Sequence, residues 1–110
     1  MKADRTEMVT TISEDAVIAE HGRTEYIVAY DDVTEVALLR EMPDSSRSAG
    51  FESEQLKKGK FTVEGYGSCT ICVDAQDEAI LVLKTADRTY LFSFDTEAEA
   101  LEAINKIDMI

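Results

Sequence analysis

No tryptophan, one proline, one histidine and two cysteines occur in the 110 residues, and each scarcity closes a class of function. With His21 alone, there is no histidine pair for a metal site, and no Ser or Cys stands beside it as a nucleophile. Followed by Gly22, it reads as an exposed residue of a hairpin turn. Cys69 and Cys72 form a C-x-x-C pair, yet zinc or dithiol chemistry needs both sulfurs on one side. In a strand, positions three apart face opposite ways with Cα atoms about 10 Å apart, beyond disulfide reach. They are expected as free strand thiols, Cys69 packed inward, which suits a reducing, cytoplasmic compartment.

Positive charge is also scarce. Eleven Lys and Arg against 23 Asp and Glu give a net charge of -12, so nucleic acid and anionic headgroups are repelled at long range and no nucleic-acid partner is expected. The longest apolar run is about five residues, against the roughly 20 that a membrane-spanning helix needs. The polar start lacks the apolar core of a signal peptide, and residues 1–7 read as a disordered lead-in to one domain over residues 8–110.

What the chain does have is short strands. Met8 to Ile12 and Ala16 to Ala19 are β-branched runs split by a turn at Ser13-Glu14-Asp15. Tyr26, Val28 and Tyr30 alternate up to Asp31-Asp32, which reads as an Asx-type turn, and Val33 to Arg40 resumes as a strand. Phe61 and Val63 lead through Gly65-Tyr66-Gly67, a hairpin turn or bulge, into Ser68 to Asp74, whose alternation implies one wet side. Asp74 to Glu78 is acidic but lacks the spacing of a calcium loop, so a solvated connection is expected. Ala79 to Leu83 is an unbroken apolar strand, with Tyr90 to Phe94 as its hairpin partner. Thr96-Glu97-Ala98-Glu99 has the form of a capping box, and the helix it opens is expected to bury Ala98, Leu101, Ile104 and Ile107, joined by Ala100.

Between Glu41 and Lys60 the periodicity stops. This segment holds Pro43, a serine-rich piece, Gly50, Phe51, Leu56 and Gly59, and reads as a long loop anchored by Phe51 and Leu56. Its charge differs from the rest of the chain. From Met42 to Lys60, four cations outnumber three acids, leaving +1 here and -13 elsewhere. Arg47, Lys57 and Lys58, around Gly50 and Gly59, are the candidate binding residues, since backbone amides at glycines and basic side chains both suit anions. No catalytic constellation, metal set or cofactor motif accompanies them, and no enzyme activity is expected. The expected architecture is mainly β with one C-terminal helix: about seven short antiparallel strands rolled into a barrel and capped by that helix.

Several pieces in fixed order add a resemblance: Tyr30-Asp31-Asp32-Val33 leading to Val36 and Leu38; Pro43, Arg47 and Gly50; Gly59-Lys60-Phe61; and Ile80 to Thr85 with Asp87, Tyr90 and the helix after Asp95. Over roughly residues 9–107 the chain resembles the bacterial pleckstrin-homology (PH-like) domain family. The resemblance implies two nearly orthogonal antiparallel sheets with the helix across one end. It also implies a setting that is often next to a membrane segment in a longer chain, on the cytoplasmic face, and no settled activity. Lipid-binding relatives carry Lys and Arg around their first long hairpin loop. Here Arg23 stands beside His21, flanked by Glu20 and Glu25, so direct phosphoinositide binding is not expected. The lack of a catalytic constellation, the acidic surface and the segment from Glu41 to Lys60 together lead to the expectation of a non-enzymatic interaction or regulatory module that binds a protein segment or self-associates. The alternative is a small-molecule or anion sensor using Arg47, Gly50, Lys57 and Lys58.

Overall fold

The computed structural model describes residues 8–108; the expected lead-in, residues 1–7, lies outside them. Among the described residues, nine strands precede one helix. β1 (Met8–Ile12), β2 (Ala16–His21) and β3 (Thr24–Ala29) form an antiparallel meander. Its first turn is held by Ser13, whose Oγ accepts from the Ala16 amide at 3.1 Å and donates to the Ala16 carbonyl at 2.9 Å. A 3-10 turn, Tyr30–Asp32, leads to β4 (Val33–Leu39). The expected Asx turn gives way to this one because the anchor is Tyr30, not an aspartate. The ring is buried, its hydroxyl donates to the Ser13 carbonyl at 2.6 Å, and no side chain caps the turn.

The other strands are β5 (Ser45–Glu52), β6 (Leu56–Val63), β7 (Gly67–Asp74), β8 (Ala79–Thr85) and β9 (Thr89–Phe94). With β4 they build a six-stranded sheet in the order β4-β8-β9-β7-β6-β5. The expected all-antiparallel barrel of about seven strands is corrected in three respects. The described residues form nine strands, the two sheets do not close on each other, and β7 pairs with β9 in parallel, through Thr70↔Tyr90, Ile71↔Leu91 and Cys72↔Phe92. The parallel pair arises because β9 turns back from β8 into the gap between β8 and β7. This puts the apolar Leu91 and Phe92, both fully buried, at the centre of the sheet.

Two apolar clusters lie on opposite faces of that sheet. On one face, Cys72, Leu81, Leu83, Phe92 and Phe94 pack with Val17, Ala19 and Val28 of the meander and with the helix α1 (Glu97–Asp108). On the other, Phe61 and Val63 of β6, Cys69, Ile71 and Val73 of β7, Ile80 and Val82 of β8 and Leu91 of β9 pack on one another. No further layer supplies this second cluster, so the sheet bends over its own face. From Cys69 to Val73, β7 therefore lacks the wet side expected of it, and even Thr70 is only 6% exposed. Each fully buried large apolar side chain contributes about 1.5–3 kcal/mol, and the contribution of β8 and β9 to both clusters explains why the last third of the chain is so apolar.

The capping box forms as expected: the Glu99 amide donates to Thr96 Oγ1 and the Thr96 amide to Glu99 Oε1, both at 3.3 Å. Arg40, just past β4, makes a two-pronged pair with Glu97 at 2.8 and 3.1 Å, on the helix's first turn. The buried stripe, however, is rotated from the expected one. Ala100 and Ala103 are fully buried, Ile104 and Ile107 half-buried, Ala98 exposed and Leu101 44% exposed. Two alanines facing the sheet let the helix backbone come close to it, and the larger leucine is displaced to the rim.

Candidate functional site

The segment expected as a loop is a hairpin of two eight-residue strands. The sequence hides it because β5 touches no core: seven of its eight residues are exposed, so no apolar alternation is required. β5 is the last strand of its sheet, bonded to β6 on one side only. A bulge between Arg47 and Ala49 breaks the register, and Gly50 then stands directly opposite Gly59. Both glycines have strongly positive φ, 122° and 120°. A Cβ on Gly59 would sit 2.5 Å from the Ala49 carbonyl oxygen, and one on Gly50 would collide with that of Lys58. Gly50 thus serves a close approach of two backbones.

Cross-strand partners share a face, which sorts the candidate residues into two groups. Arg47, opposite Phe61, and Lys57, opposite Glu52, lie on the face of the second cluster. There Lys57 Nζ is 2.5 Å from Glu52 Oε2 and 5.6 Å from the centre of the Phe61 ring. The hydrogen bond from Lys57 holds the Glu52 carboxyl below its ordinary range against the opposing effect of burial, with smaller help from the charges of Lys57 and Arg47. Lys58, opposite Phe51, projects from the other face, towards the end of β2. Its Nζ reaches His21 Nδ1 at 2.9 Å and the His21 carbonyl at 3.5 Å. Arg47 and Lys57 are brought together, Lys58 is separated from them, and Gly50 is a backbone feature. The four do not converge on one ligand.

His21 is the residue the sequence placed wrongly. It closes β2 instead of projecting from a turn, and its ring stacks with Phe51 at 6.3 Å. An ammonium can only donate, so Nδ1 is the acceptor and Nε2 bears the hydrogen, enclosed and without a partner. Nothing in the sequence signals this junction, since it joins two hairpins 37 positions apart. Of the two apolar anchors expected, Leu56 is buried and Phe51 remains 46% exposed.

Other polar groups are structural. Ser93, fully buried on β9, donates to Asp77 Oδ2 at 2.5 Å and accepts from the Asp74 amide at 2.9 Å. The expected solvated connection is thereby tied to the sheet. Burial pushes the Asp77 carboxyl up, the Ser93 hydrogen bond opposes this, and Asp74, Asp95 and Glu99 add to the rise. Cys69 and Cys72 are free and on opposite faces of β7, both buried, where only Cys69 was expected to be. Burial pushes the Cys72 thiol up to about 12. Among the described residues, no three His, Cys, Asp or Glu side chains are grouped to hold a metal, and no helix is long and apolar enough to cross a membrane.

Two sheets over a shared core, a C-terminal helix packed across them and a basic hairpin at a free edge define a PH-like β module. The family model described as "Bacterial PH domain" matches residues 5–106, and the chain belongs to that family. Neither a curated protein nor a solved structure matches it.

Proposed function

We propose that the chain is a non-catalytic interaction module that takes an extended, acidic protein segment onto the free edge of β5. The observation that carries this reading is the edge itself: a strand of eight residues, seven of them exposed, with one side unpaired. An added strand gains affinity from backbone hydrogen bonds and selectivity from alternate side chains. Those side chains would meet Arg47 on one face and the Phe51–His21 stack on the other. The acidic character follows from charge, because the hairpin's segment is +1 in a molecule otherwise at -13. The bulge and the charges at Arg47 and Glu52 also disfavour indiscriminate pairing of such edges.

The test uses amide hydrogen exchange and NMR with a panel of acidic, β-branched decapeptides, together with sedimentation of the protein alone. Binding that slows exchange within residues 45–52 and is abolished by Ser48→Pro supports the reading. Ser48 lies in the bulge and has no partner on β6, so proline there leaves the hairpin ladder in place. A dimer in sedimentation that Ser48→Pro dissolves would give the edge to a second copy and overturn the acidic segment as occupant. Absence of any effect on residues 45–52 overturns the edge itself.

A further inference from the structure

Away from the β5 edge, a cleft of about 220 Å³ opens where β7 and β9 begin. Lys60, Thr70 and Tyr90 are neighbours on β6, β7 and β9, with Thr70 between the other two. Lys60, Ser68 and Thr70 line one side of the cleft, and Asp87, Arg88 and Thr89, at the turn between β8 and β9, line the other. That turn is fixed by its backbone. Thr85 Oγ1 accepts from the Asp87 amide at 3.3 Å and the Arg88 amide at 3.1 Å, and the Thr85 amide donates to the Arg88 carbonyl at 2.8 Å. Neither Lys60 nor Arg88 is in an ion pair among the described residues, although the molecule carries 23 carboxylates.

The lining is rich in donors. An ammonium offers three, a guanidinium five, and the hydroxyls of Ser68, Thr70 and Thr89 can turn theirs inward. One carboxylate, Asp87, opposes them, too few for a metal cation. The volume is below the roughly 300–1,000 Å³ of sites for drug-sized ligands, and suits one small tetrahedral anion. Arg and Lys together are matched to such a group, the fork of one and the point charge of the other. We infer that this cleft binds a phosphoryl dianion, held between Lys60 and Arg88 over the Thr70 hydroxyl. The inference is independent of the β5 edge, which lies on the far side of β6.

The group can come from a free phosphate or small ester, or from a phosphorylated serine or threonine of a protein. NMR titration with inorganic phosphate and with a phosphoserine pentapeptide, alongside the unphosphorylated peptide, separates these sources. Shifts centred on residues 68–70 and 87–89 are expected. Lys60→Ala and Arg88→Ala should each weaken binding about tenfold, as loss of a charged hydrogen bond does, and Asp87→Asn should tighten it. Arg23→Ala, the same charge change at a residue that does not line the cleft, should have no comparable effect, and Ser48→Pro none. Tighter binding of the phosphopeptide than of phosphate assigns the site to a protein side chain; equal binding assigns it to the free anion. The inference fails if neither probe shifts these amides at millimolar concentration, or if Arg23→Ala weakens binding as much as Arg88→Ala.

Discussion

The Ser93–Asp77 contact shows at one residue how the sheet charges its connections. Asp77 is held at the sheet by a hydroxyl that is itself fully buried, and pays for that position in desolvation next to three other acids. Its folded carboxyl therefore keeps its proton to a higher pH than the unfolded chain does. Between the ordinary aspartate value and the raised one, the folded state holds more protons, so this residue lowers stability as pH rises through that window, and the full penalty is present above it. Asn at this position still accepts from Ser93 Oγ and does not titrate. Urea midpoints measured from about pH 3.5 to 7 should show Asp77→Asn gaining on the parent as pH rises and level with it at the acid end. A gap that widens towards acid would contradict the assigned direction.

At the scale of elements, what could be read in the chain depended on whether the signal was local. The capping box was legible, because Thr96 and Glu99 are three residues apart and bond reciprocally, each side chain to the other's amide. The face of the helix was not, since leucine outweighs alanine in any apolar pattern and only the sheet decides which side comes close. The β5–β6 hairpin escaped for the opposite reason: a strand with no buried face leaves no alternation. Of the candidate site, Arg47, Lys57 and Lys58 were found by charge, but their division between two faces follows from a bulge and a glycine pair that charge does not encode. The helix gives a paired test. Leu101→Ala, at a rim position 44% exposed, should cost less than about 1 kcal/mol. Ala103→Leu, which must fit methylenes where no space exists, should cost about 1–3 kcal/mol. Denaturant midpoints in the reverse order would restore the stripe first expected from the sequence.

For the whole molecule, the consequence of the β9 insertion is that one sheet serves as the wall of two cores. Leu81 faces the cluster under the meander and helix, and Leu91 faces the cluster inside the bent sheet. Val82, the residue after Leu81, is the cross-strand partner of Leu91, so the two leucines belong to adjoining rungs of one ladder. Neither core can loosen without releasing backbone that the other needs, and the protein should unfold as a unit although its apolar residues form two groups. Leu81→Ala and Leu91→Ala should each cost about 2–5 kcal/mol. Each should shift a single urea transition to a lower midpoint at unchanged slope, with near-ultraviolet and far-ultraviolet signals coincident. If Leu91→Ala instead produced a first transition that left the meander and helix folded, the two clusters would be separable and the shared sheet would not be what couples them.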